Sequence, residues 1–227
     1  MAKAIFGKNY NYQLTELSTV DTKRKEMVEN EKSPEYGEIE SGSVEIIVGP
    51  KSSGKTDEMI RRLRRATYGD YKIHAFKVIV TEGSSENKIV SHAGNEFEAT
   101  PVKTTEQLKK LLKEDASLVA IDNAQFLDKE IVPFTQKMAD KGIRVIVAGL
   151  DTDFRGEPFG FVPILMAQAD ILDKHSAICK VCSGPASFTQ RLINGEPAEY
   201  DNPIVAVDAS EFYEARCRGH HKVSGKP

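Results

Sequence analysis

Gly49-Pro50-Lys51-Ser52-Ser53-Gly54-Lys55-Thr56 lies between an apolar run at residues 44–48 and an amphipathic run at residues 58–66. The octapeptide satisfies the pattern G-x-x-x-x-G-K-[ST], and its strand-then-helix setting is what makes the match a phosphate-binding loop. Glycines let such a loop curl, so that backbone N–H groups converge on a phosphate at the positive end of the helix that follows. In that reading Gly49, Ser52, Ser53 and Gly54 form the cradle, Lys55 reaches the outer phosphates, and Thr56 holds magnesium.

The alternation continues along the chain. Residues 44–48, 73–80, 118–121 and 144–148 read as buried strands, because they are nearly continuous apolar runs. Residues 58–66, 105–113 and 130–141 read as helices. Strands and helices in turn imply a mostly parallel sheet with right-handed crossovers. The expected fold class is therefore α/β, a parallel sheet of the P-loop nucleotide-binding kind flanked by helices. Asp122 closes the third strand run, where an acidic residue can hold magnesium through water. The competing reading is an ordinary helix-start Asp before Asn123.

Composition narrows the functions. A chain of 227 residues with 40% hydrophobic and 29% charged residues can bury one sizeable core, or one core and a small appendage. A net charge of -3 and a pI near 6.0 lack the basic excess that phosphate-backbone binding needs, which disfavours general nucleic-acid binding. No apolar run approaches the ~20 residues that span a bilayer, and the N-terminus lacks a secretion-signal layout. A cytoplasmic location is expected, with no membrane partner.

After residue 174 the alternation stops, and Cys, Gly, Pro and short extended runs take over. Cys179-x-x-Cys182 is followed by Cys217-x-x-His220, two knuckles that together supply four ligands for tetrahedral zinc. Four protein ligands leave no open position, so the zinc is expected to be structural, adding folding energy to a module too small for its own apolar core. His221 is the reserve ligand. All three cysteines enter this arrangement, and the spacing fits a reducing compartment.

The loop at 49–56, Asp122-Asn123-Ala124-Gln125-Phe126, residues 148–160, residues 179–191 and residues 213–220 together resemble the cytosolic, zinc-containing thymidine kinases. The likeness covers about residues 42–223, and residues 147–160 with 186–191 are similar to the Gram-positive bacterial branch. The resemblance implies a parallel-sheet domain that binds ATP and Mg2+, with Gln125 among the cofactor-binding residues. It also implies a loop on the zinc module that closes over thymidine, and a homotetramer. By position, Leu150, Phe154, Phe159, Thr189 and Tyr213 match the base pocket; for Phe154 and Phe159 plain core packing competes.

Three departures bear on activity. The family's general base, a Glu directly after the magnesium-site Asp, is here Asn123, and an amide does not accept the proton that general-base catalysis removes. The family's Asp and Arg upstream of residues 91–94 correspond to Thr81 and Gly83, so a cation that steadies the transferring phosphate is missing. A Met-Phe pair beside the nucleoside is replaced by Lys51-Ser52, and a Gly of the gripping loop by Asp208.

The expected organisation is a poorly ordered arm at 1–42, a nucleotide-binding domain at 43–174, a zinc-ribbon and nucleoside-gripping module at 175–223, and a tail at 224–227. Ile5, Phe6, Tyr10 and Tyr12 make a docking segment for a protein partner the competing reading of the arm. The functional expectation is a nucleotide-binding relative of thymidine kinase with weak or no catalysis. The alternatives are an active deoxynucleoside kinase, with Lys51 replacing the Arg and Glu82 or Asp208 the base, and a structural or assembly subunit.

Overall fold

The computed structural model describes residues 42–80, 87–205 and 211–227. The arm before Gly42, together with Thr81, Glu82, Gly83 and Asp208, lies outside the described residues.

β1 (Ser43–Val48) runs through the glycine-rich loop into α1 (Lys55–Ala66). Then come β2 (Ile73–Val78), a hairpin of β3 (Lys88–Val90) and β4 (Glu96–Glu98), β5 (Thr100–Val102) and α2 (Thr105–Leu111). β6 (Leu118–Asp122) leads through a 3-10 turn (Ala124–Phe126) to α3 (Ile131–Ala139), β7 (Arg144–Gly149), α4 (Val162–Ala167) and β8 (Ile171–Lys174). These strands form a six-stranded sheet in the order β5-β2-β6-β7-β1-β8, parallel at every pairing. The expected α/β class is borne out.

Period-two alternation explains why the strands read as unbroken apolar runs. Val44, Ile46 and Val48 pack with α2, α3 and α4 on one face of the sheet, while Ile47 packs with Met59, Ile60 and Leu63 of α1 on the other. A sheet covered on both faces needs apolar residues at odd and even positions alike. Among the described residues no helix is long and apolar enough to cross a membrane.

Within the main sheet and the helices that cover it, β5, β8 and α4 were not anticipated, and outside it neither were the β3–β4 hairpin and β13 (Glu211–Arg216). β5 and β8 are short sheet edges and α4 has six residues, so none of these three leaves a sustained period to read. α1 also begins at Lys55 and not at residue 58, because Gly54 at φ 82° ends the loop in the left-handed region and the helix starts at once. That start places Lys55 and Thr56 in the first turn.

Glu45 breaks the apolar run of β1 and is buried. Its carboxylate binds Arg62 of α1 at 2.6 Å and also Arg144 of β7, while Arg62 binds Glu58 at 2.8 Å and reaches Asp173. The cluster ties α1 to the sheet on the side opposite α3. Removing one member strands buried charge, so Glu45→Ala is expected to cost about 3 kcal/mol or more, read as a lower urea midpoint.

Beyond the sheet, β9 (Ala177–Ile178) and β10 (Pro185–Ala186) form a small hairpin. β11 (Phe188–Ile193), β12 (Glu196–Pro197) and β13 (Glu211–Arg216) form an antiparallel ribbon in the order β12-β11-β13. Near the C-terminus, Ser224 bridges to Glu199 and Lys226 Nζ donates to the Arg155 carbonyl at 2.6 Å.

Candidate functional site

The carboxyl ends of β1, β6 and β7 open onto one cavity of about 720 Å³, a size suited to a small-molecule ligand. The glycine-rich loop after β1, Asp122 and Asn123 after β6, and Gly149 and Leu150 after β7 all line it. Open parallel sheets bind ligands in this place, because successive crossovers leave a crevice at the strand ends.

Loop geometry follows from its residues. Gly49 has φ 141°, and a Cβ there would lie 2.4 Å from the His175 carbonyl oxygen, so only glycine lets β1 turn beneath the end of β8. His175 completes the support: its N–H donates to the Val48 carbonyl at 2.8 Å, and Nδ1 lies 3.0 Å from the Ser53 carbonyl oxygen. Lys55 Nζ caps the loop from inside, donating to the Pro50 carbonyl at 2.7 Å and contacting Ser53 Oγ at 3.3 Å.

Burial dominates the electrostatics of the two central groups. It pulls the Lys55 ammonium down to about 8, against Asp122 and Asp151, which favour its charge. It pushes the Asp122 carboxyl up to about 6, against the Asn123 N–H and the nearby lysines 55, 77 and 51. Asp151 binds Lys174 at 2.8 Å through one oxygen, and the other is buried with no partner among the described residues. A desolvated ammonium, a desolvated carboxylate and an orphaned carboxylate oxygen beside a positive helix start are suited to a polyphosphate with its divalent cation. Lys55 and Thr56 would hold the phosphates and the cation from the loop, and Asp122 would hold the cation from β6.

The charged form of Lys55 is the one that grips phosphate. Its protonated fraction falls as pH rises through about 8. Magnesium-free ATP affinity is therefore expected to be full near pH 7 and to decline above pH 8, with proton uptake on binding measured by calorimetry in buffers of different ionisation enthalpy.

Every expected site residue within the described region lines this cavity or supports it, except the zinc ligands. Phe159 meets Phe126 edge-to-face, with centroids 5.4 Å apart at 87°. Phe154 lines the cavity too, yet is buried beneath Arg191, whose guanidinium lies 5.1 Å from the ring centroid. Thr189 Oγ1 accepts the Lys51 N–H at 3.0 Å, joining the β11 ribbon to the glycine-rich loop. Leu150 and Tyr213 complete the wall. Gln125 Oε1 accepts the Leu150 N–H at 3.1 Å, so this side chain aims the loop after β7.

Asn123 is a cavity-lining residue in the left-handed region, at φ 62° and ψ 36°. Asn is among the few side chains that adopt this conformation readily. Among the described lining residues the carboxylates are Asp57 and Asp122. Asp57 is engaged: Ser91 and Asn95 hydrogen-bond to it and hold its carboxyl below the usual range.

Phe126, Lys77, His92 and His175 were missed by sequence reasoning. Lys77 had a legible signal, a charge near the carboxyl end of a buried strand, paired in register with Asp122. His175 had none, because its role depends on a short edge strand.

Just past the Arg216 end of the ribbon, the ligand atoms of Cys179, Cys182, Cys217 and His220 all lie within 4.8 Å of one another. Cys182 and Cys217 sulfurs are 3.8 Å apart, and His220 Nδ1 lies 3.8 Å from Cys179 Sγ and 3.1 Å from Cys217 Sγ. A tetrahedron with Zn–S bonds near 2.3 Å has edges of about 3.8 Å, so the donor set fits zinc. Burial opposes the Cys179 thiolate, but N–H groups of Cys217, Cys182 and Val181 outweigh it and bring the thiol down to about 6. His221 has another partner: Nε2 lies 2.8 Å from the Phe154 carbonyl oxygen, and its ring stacks on Phe188.

A doubly covered parallel sheet carries a glycine-rich loop, a half-buried lysine and a buried aspartate at its carboxyl edge. The thymidine kinase family model matches residues 42–221, and the chain belongs to the thymidine kinase family. Members of that family are nucleoside kinases that use ATP with Mg2+, so nucleotide and nucleoside are the ligand classes the family implies.

Proposed function

We propose that this chain binds ATP–Mg2+ and a thymidine-like nucleoside but transfers phosphate weakly or not at all. The observation that carries the reading is the uncharged Asn123 beside Asp122 on the cavity wall, with Asp57 the one other described carboxylate there and already engaged. Removing the proton from a 5′-hydroxyl needs a titrating group within hydrogen-bond reach, and general-base catalysis contributes about 10²- to 10⁴-fold. Lys55, Thr56 and Asp122 serve nucleotide binding, which requires no proton acceptor. Gly49, Ser52, Ser53 and Gly54 line the phosphates, and Leu150, Phe126, Phe159 and Tyr213 receive the pyrimidine. In this reading the protein is cytoplasmic and homo-oligomeric, with structural zinc.

The test pairs calorimetry with a turnover assay. ATP and thymidine are expected to bind with measurable heats, while thymidine monophosphate accumulates far more slowly than a general base would permit. Turnover at rates ordinary for the family discards the proposal.

One observation favours a second reading, an active deoxynucleoside kinase: Lys51 and Lys77 both line the cavity, where a cation can steady the transferring phosphate. A nucleoside panel with labelled ATP, repeated with Lys51→Ala, separates the two, since this reading requires turnover that the variant abolishes.

A further inference from the structure

Three lysines line the candidate site, and the proposed reading gives Lys55 its phosphate role and leaves Lys77 opposite Asp122 in the sheet. Lys51 is the third. Its backbone N–H is tied to Thr189 Oγ1, which seats it where the glycine-rich loop meets the ribbon that walls the cavity. Its charge is felt by both Lys55 and Asp122, so the ammonium belongs to the site's field. Among the described residues no carboxylate forms an ion pair with it. On the same cavity, Asn123 offers a neutral amide where a carboxylate would repel an anion.

A lysine that no described carboxylate ion-pairs, on the same cavity as an amide that can donate, is a poor receiver for an uncharged hydroxymethyl group. It is a good receiver for an anion, because charge-assisted hydrogen bonds are roughly twice as strong as neutral ones. The next wall is apolar and aromatic, with Phe126 and Phe159 edge-to-face. Building on the proposed nucleoside slot, the geometry points to a pyrimidine nucleoside 5′-phosphate as the ligand this site prefers over the free nucleoside, with Lys51 and Asn123 receiving the 5′-phosphate. The chain then senses the phosphorylated pyrimidine in place of making it.

The experiment is calorimetry without ATP, titrating thymidine and thymidine 5′-monophosphate into the zinc-loaded full chain. The monophosphate is expected to bind at least about ten-fold more tightly, the lower end for a hydrogen bond to a charged group. Raising salt should narrow that gap, since a partly exposed ion contact is screened. Lys51→Met is expected to bring the two ligands to near parity. Asn123→Asp leaves the loop untouched and adds repulsion, so it should weaken the monophosphate selectively. Lys55→Ala is the contrast: a preference that survives Lys51→Met but vanishes in Lys55→Ala places the phosphate on Lys55 and overturns the inference. So do equal affinities in the unaltered chain, or no monophosphate binding. Family-like thymidine turnover would remove the proposed loss of catalysis, yet this ATP-free comparison would still decide the role of Lys51.

Discussion

Replacing Asn123 by glutamate is expected to raise the rate of thymidine monophosphate formation by about 10²- to 10⁴-fold, the factor a positioned general base ordinarily supplies. The substitution puts a carboxylate on the cavity wall one residue beyond Asp122, where an amide now stands. Two costs temper it. The position has φ 62°, which glutamate adopts less readily than asparagine, at roughly 1–2 kcal/mol. The substitution also leaves unchanged Gly83, which the proposed reading aligns with the family's Arg. The gain should therefore appear in kcat, with little change in ATP affinity, because the loop and Asp122 are untouched. A steady-state comparison of Asn123→Glu with Asn123→Gln reads it, the glutamine matching size without charge. If the two variants turn over thymidine alike, the proposed absence of a general base at position 123 does not limit the rate.

The second large effect concerns the metal. Cys217→Ser is expected to lower zinc content from one ion per chain to none and to lower the thermal midpoint by about 10 °C or more. The buried cluster of this module consists of Ala177, Cys179, Ala186 and Ala215, with Cys217 packed against it. Side chains that small bury little apolar surface to order a hairpin and a ribbon, and a metal held by the four donors would add what they lack. The loss should travel, since Thr189 on β11 holds the Lys51 N–H and Tyr213 on β13 lines the cavity. Nucleoside binding is thus expected to weaken more than ATP binding. Elemental analysis, thermal unfolding and calorimetry check the three parts; retained zinc or an unchanged midpoint refutes the structural role. His221→Ala should keep its zinc, because that ring is bonded to the Phe154 carbonyl.

Much of the site was legible in the sequence, and the reasons are local. The loop at 49–56, Asp122 and the four zinc ligands are signalled by spacing, because phosphate cradles and tetrahedral metals demand fixed residue types at fixed intervals. The four inner strands were legible because burial on both faces makes them continuously apolar. β5 and β8 were not, since edge strands keep polar residues and have no run of their own. Gln125 and Thr189 were legible as site residues but not in what they bind. Their partners, Leu150 and Lys51, lie 25 and 138 residues away.

Sequence alone therefore carried the fold class and the Cys3His cluster, and it supplied the motif at 49–56 and the Asn123 that the proposed function rests on. These depend on residue type and short-range spacing, which the chain displays directly. Tertiary structure decided that Lys51 and Asn123 share one cavity, that His175 props the loop from an edge strand, and that His220 and not His221 faces the cysteines. Such facts are set by which distant segments close upon one another, and that follows from the packing of the whole core, not from any interval along the chain.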